Sequence, residues 1–79
     1  MNRELLRETL RRNNIPDHYY NIDEKGETDQ RVCMKKVGDR WKVYYTERGR
    51  ESQVEFFDTE PEACRCVLDE FYIEDQTVL

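Results

Sequence analysis

The sequence predicts an α+β domain: a sheet of three or four antiparallel strands with an N-terminal and a C-terminal helix on one face, in the order α-β-β-β-α. Three observations lead there. Apolar residues recur at helical spacing near both ends of the chain and alternate with polar ones in the middle. Gly38-Asp39 and the segment Glu47–Glu51 punctuate the alternating runs as turns. Thr59-Glu60-Pro61-Glu62 then carries the marks of a helix start: a capping hydroxyl, a proline in the first turn and acids at the positive helix end.

Residues 2–13 read as the first helix. Leu5, Leu6, Thr9 and Leu10 share one face, while Arg3, Arg7 and Arg11 line another, partly paired with Glu4 and Glu8; the row reads as a solvated helix face in preference to a basic binding stripe. Asn13-Asn14 and Pro16 end it. Tyr19-Tyr20-Asn21-Ile22 is a short first strand, and the polar stretch Asp23 to Asp29, with Gly26, is a loop. Gln30 to Val37 alternates, with Val32 and Met34 on one side and Arg31, Cys33 and Lys35 on the other. Gly38-Asp39 forms a two-residue hairpin turn, Gly38 supplying the positive φ. In Arg40 to Thr46, Trp41, Val43 and Tyr45 point to the helices, and Lys42, Tyr44 and Thr46 to solvent. The last strand runs from Gln53 to Asp58, with Val54 and Phe56 opposite Glu55 and Phe57. Continued alternation places Phe56 in the core and Phe57 on the solvent face beside Tyr44. In the second helix Ala63, Cys64, Val67, Leu68 and Phe71 form the apolar stripe, with Glu62, Arg65, Asp69 and Glu70 outside. Both helices then bury their stripes on one face of the sheet.

Seventy-nine residues suffice for a single domain spanning 1–79. Charged residues make up 39% and hydrophobic residues 37%. Leu, Ile, Val and Phe number only seventeen, just above the level of about 20% below which disorder is expected. Five Tyr, one Trp and the clear patterning decide for a folded chain. The N-terminal segment has neither the apolar run of a signal peptide nor a membrane span, and three cysteines are an odd number, so a reduced, cytoplasmic protein is expected. The net charge is −5, distributed unevenly: residues 1–50 carry +3 and residues 51–79 carry −8. An acidic half attracts a basic partner and repels nucleic acid.

No motif carries a catalytic reading. His18 and Ser52 are the sole histidine and serine, the three glycines are isolated from one another, and paired carboxylates mean little among eighteen acids. Cys64 and Cys66 diverge on a helix and have no partner pair, so neither a metal nor a cofactor is expected. The element order is also that of double-stranded RNA-binding domains, but Glu60-Pro61-Glu62 stands where such a domain needs cations for phosphate. One nucleic-acid reading remains: a basic, aromatic sheet face built from Lys35, Lys36, Arg40, Lys42 and Tyr44.

The run Arg40-Trp41-Lys42-Val43-Tyr44-Tyr45-Thr46-Glu47-Arg48-Gly49 contains a W-x-V-Y-Y-x-E-R-G pattern. Phe56 or Phe57 follows, then Thr59-Glu60-x-Glu62-Ala63-Cys64. Over roughly residues 15 to 72 this series resembles small bacterial immunity proteins of polymorphic-toxin and contact-dependent growth inhibition systems. The resemblance implies a non-catalytic cytoplasmic protein, made beside its toxin gene, that binds and neutralises the toxin domain in a 1:1 complex. A nuclease is the expected toxin, because a nuclease presents positive charge that an acidic inhibitor can cover. The residues expected to bind are Glu55, Asp58, Glu60, Glu62, Asp69 and Glu70 as an acidic patch, Tyr44 and Phe57 as aromatic anchors, and Arg48 of the Glu47-Arg48-Gly49 turn. The same acids would also keep a small domain soluble, and both readings stand at this point. The alternative function is a nucleic-acid-binding or regulatory adaptor protein using the basic sheet face.

Overall fold

A computed structural model describes residues 1–74 of the chain. Helix α1 spans Arg3–Arg12, and a short 3-10 turn covers Asp17–Tyr19. Four strands follow, β1 (Tyr20–Ile22), β2 (Arg31–Val37), β3 (Arg40–Glu47) and β4 (Arg50–Phe57), and helix α2 (Glu60–Glu70) closes the fold. The strands form one sheet in the order β1-β2-β3-β4.

The α+β class agrees with the sequence reading; the all-antiparallel sheet does not. β2, β3 and β4 are an antiparallel meander, but β1 lies parallel to β2, with Tyr20 opposite Val32 and Ile22 opposite Met34. The chain between β1 and β2 therefore returns to the starting end before entering β2. It does so across the sheet face that the helices leave open. Thr46 Oγ1 donates to the Thr28 carbonyl, Asn21 Nδ2 donates to the Glu27 carbonyl at 3.0 Å, and the Gln30 N–H donates to the Thr46 carbonyl at 2.7 Å. These bonds satisfy polar groups that the loop covers. Asp23 and Gln30, at its two ends, have φ of +51° and +56°.

Each helix has a local reason for its start. Asn2 Oδ1 accepts the Leu5 N–H at 2.9 Å to cap α1. The Thr59 hydroxyl accepts from the Glu62 N–H at 3.4 Å and donates to the Glu62 carboxylate at 2.7 Å to cap α2. Leu6 and Leu10 of α1 and Ala63, Cys64, Val67 and Leu68 of α2 meet Tyr20, Ile22, Met34, Trp41 and Val43 in one core. Both helices thus lie on one face, as expected. Leu5 is 39% exposed, since it stands about 100° around α1 from Leu6.

Of the expected solvated arginine row of α1, Arg11 stays exposed, with Asp17 at 4.0 Å, while Arg3 and Arg7 are drawn onto the fold. Arg7 Nε contacts the Glu24 carboxylate at 2.6 Å and its Nη2 donates to the Ile22 carbonyl at 2.6 Å. The Arg3 N–H and guanidinium both reach Glu60, and the guanidinium also reaches Asp23 and lies 5.1 Å from the Trp41 ring centre. α1 is therefore fastened to the end of β1 and to the start of α2 by charge as well as by leucines.

The largest departure is in β4. The Arg48-Gly49 turn, with φ of +52° and +76°, sets Glu47 opposite Arg50 and Tyr45 opposite Ser52. Beyond that point Val43 pairs with Glu55 and Trp41 with Phe57, so Gln53 and Val54 together face Tyr44. This is a β-bulge, with Gln53 at φ +52°. One extra residue reverses the inward and outward sides of everything after it. Phe57 packs against the core, and Phe56 and Val54 lie outside at 44% and 41% exposure. The expected positions of Phe56 and Phe57 are both corrected by this one residue.

Candidate protein-binding surface

β4 is the last strand of the sheet, and all of it except Phe57 is exposed. Among the described residues its outer edge pairs with no neighbouring strand, and it is flanked by two kinds of side chain. On the open face stand Val54 and Phe56, with the Arg40 guanidinium 5.1 Å from the Phe56 ring centre. On the helix face Glu55 points toward α2, where its carboxylate lies 3.3 Å from Cys66 Sγ. Asp69 and Glu70 follow Cys66 by three and four residues, one turn further along the same side of the helix. Burial first, then the hydrogen bond to Glu55 and the charges of Glu55, Glu70 and Asp69, push the Cys66 thiol up to about 12. Burial makes the largest part of that shift, and the three carboxylates that add to it, Glu55, Glu70 and Asp69, line an acidic seam between β4 and α2.

The six acids expected to form one patch are divided by the fold. Glu55, Asp69 and Glu70 gather at the seam. Glu60 is half-buried and spent on Arg3, with 2.8 Å to the Arg3 N–H and 3.3 Å to Nε. Asp58 lies 3.6 Å from Arg40, an exposed pair. Glu62 caps α2, two turns from Asp69 on the same helical stripe.

The expected aromatic anchors are not available. Phe57 faces the core beside Trp41. Tyr44 is on the open face as expected but only 7% exposed, with Lys35 and Lys42 nitrogens 5.6 and 4.7 Å from its ring centre. Burial, followed by the neighbouring Cys33 and Glu51, raises its hydroxyl to about 12. Lys42 is itself held by Glu51 at 2.6 Å. Arg48 sits at the tip of the β3–β4 turn, where its backbone N–H donates to Asp29 Oδ1 at 2.6 Å. The Glu47-Arg48-Gly49 motif thus has a structural task in shaping the turn and anchoring the β1–β2 loop. Val54 and Phe56 are instead the exposed apolar side chains of this strand. The Val-Glu-Phe-Phe order is compatible with either side facing inward, and only the bulge decides between them.

Among the described residues, no group of three or more His, Cys, Asp or Glu side chains is placed to hold a metal ion, and no helix is long and apolar enough to cross a membrane. No family model, curated protein or solved structure matches the chain.

Proposed function

We propose that this chain is a non-catalytic, immunity-type binding protein: in the cytoplasm it covers a basic toxin domain, a nuclease being the expected class, and docks through the β4 edge and the β4–α2 seam. The observation that carries the reading is that edge strand β4 exposes Val54 and Phe56 on its open side and carries Glu55 on its other side, toward Asp69 and Glu70 of α2. An apolar anchor beside a charged rim is how protein–protein interfaces divide affinity from steering. The partner class comes from the sequence resemblance, and the acidic seam is complementary to it in charge.

The nucleic-acid alternative has less support. Base stacking needs an open aromatic face, whereas Tyr44 is buried between two lysines, and one of those is already engaged by Glu51.

The test is co-expression with the toxin domain encoded beside this gene, read as growth rescue and as association rate by stopped flow. Asp69→Lys with Glu70→Lys should slow association about tenfold at low salt. The deficit should shrink at physiological ionic strength, where screening acts over about 8 Å. Phe56→Ala should instead accelerate dissociation. Full rescue and unchanged rates in both variants would refute this docking edge, and failure of the parent chain to rescue would refute the partner class.

A further inference from the structure

We propose that β4 is a two-register strand, exchanging between the bulged pairing described above and a regular one, and that only the bulged register displays the Val54–Phe56 anchor. The turn at Arg48-Gly49 fixes the first three pairs, Glu47 with Arg50, Thr46 with Glu51 and Tyr45 with Ser52. An uninterrupted ladder would continue with Tyr44 opposite Gln53, Val43 opposite Val54, Lys42 opposite Glu55 and Trp41 opposite Phe56. The observed ladder is one residue further along: Val43 with Glu55, Lys42 with Phe56, Trp41 with Phe57.

The two pairings exchange near-equivalents. A phenylalanine faces Trp41 in both, Phe57 in one and Phe56 in the other. A phenylalanine also lies by Arg40 in both: Phe56, with the guanidinium 5.1 Å from its ring centre, in the bulged register, and Phe57, directly opposite Arg40, in the regular one. The differences fall between these points and pull in opposite directions. The regular register would bury Val54 against Val43, set Glu55 across from Lys42 and release Gln53 from its φ of +52°, a conformation that strains a residue with a side chain. The bulged register keeps the Cys66–Glu55 contact at 3.3 Å and Asp58 at 3.6 Å from Arg40. It leaves Val54 and Phe56 in water. A partner that covers those two side chains binds one register and not the other, and so shifts the equilibrium toward it. Only this link to a partner rests on the proposed function. The register exchange belongs to the chain alone and is tested on the chain alone.

The test uses Phe56→Lys, Phe57→Lys, the double variant, and each read by thermal melting and by NMR contacts from Trp41 across to β4. In a single-register strand Phe56→Lys is harmless and Phe57→Lys puts an ammonium into the core opposite Trp41. With two registers, each single variant stays folded at room temperature with a midpoint within about 10 °C of the parent, because the remaining phenylalanine takes the inner place. The double variant is unfolded, a large departure from additivity. Trp41 should contact residue 57 in Phe56→Lys and residue 56 in Phe57→Lys. Deleting Gln53 turns the observed pairing into the regular ladder, so Phe57→Lys in that background should no longer fold. An unfolded Phe57→Lys in the parent background, or a folded one whose Trp41 still contacts residue 57, would overturn the proposal. These outcomes do not depend on any toxin, so a failed rescue experiment and a failed register experiment remain separate results.

Discussion

Replacing Arg3 with alanine should lower the melting midpoint by roughly 6–16 °C, the consequence of about 1.5–2 kcal/mol in a domain of this size. The magnitude comes from three contacts of one guanidinium. Nη1 lies 2.5 Å from Asp23 Oδ2, Nε lies 3.3 Å from Glu60 Oε2, and the group stands 5.1 Å from the Trp41 ring centre. The Arg3 side chain is 40% exposed, so each ion pair is discounted for screening to about 0.5 kcal/mol. The ring contact adds about 0.5–1 kcal/mol. The backbone bond from the Arg3 N–H to Glu60 survives the substitution and is not counted. Thermal melts followed by far-ultraviolet circular dichroism, at low salt and near 1 M salt, separate the parts. At about 1 M, screening over roughly 3 Å removes the ion pairs, and the deficit should fall to about half. Arg3→Lys keeps the charge without the planar fork and should lie between parent and alanine. A midpoint within about 2 °C of the parent at low salt would refute the view that this guanidinium fastens α1 to the rest of the fold.

Gly49→Ala should cost about 1 kcal/mol from the backbone alone, since φ is +76° and no heavy atom lies within 4 Å of an added Cβ. An unchanged melt would show that the turn adopts another conformation. The raised thiols give a pH dependence with a definite sign. Cys64 and Cys66 stand at about 11 and about 12 in the folded protein, both through burial first, whereas an unfolded cysteine ionises near 8.5. Their contribution to stability is complete below the unfolded value and is lost as pH rises through the folded values, so urea midpoints should fall progressively above about pH 9. At about pH 8, iodoacetamide should label folded Cys66 at least about a hundredfold more slowly than the unfolded chain, and Glu55→Gln should speed that site selectively. Equal labelling of folded and unfolded protein, read by mass spectrometry, would remove Cys66 from the seam.

The parts of the fold legible in the sequence are those set by neighbours in sequence. The cap at Thr59, the glycine turns and the apolar stripe of α2 are local signals, and each stands where expected. The parallel β1 was not legible, because the direction of a three-residue strand depends on where a loop returns, and alternation looks the same in either direction. The inward side of β4 was hidden for a related reason. Alternation in Val54-Glu55-Phe56-Phe57 fixes which residues share a face, while the bulge at Gln53 decides which face is buried. For the candidate surface, Glu55, Asp69 and Glu70 were legible from charge. The loss of Glu60 to Arg3 was not, because the two residues lie 57 apart in the chain.

The mixed order of the sheet also bears on how the chain reaches this shape. β2, β3 and β4 are joined by two-residue turns, so their pairing closes only short loops. The contact of α1 with α2 joins the two ends of the described chain and must wait until that meander exists to dock upon. Loop lengths accordingly predict an early unit, residues 31–57, and a late clasp made of α1, β1 and their ion pairs to the loop and to α2. Mutations in the hairpins therefore act mainly on the folding rate, and mutations in the clasp mainly on the unfolding rate. On that expectation the lifetime of the folded protein is set at Arg3, Arg7, Leu6 and Leu10, far in sequence from the strand proposed to bind.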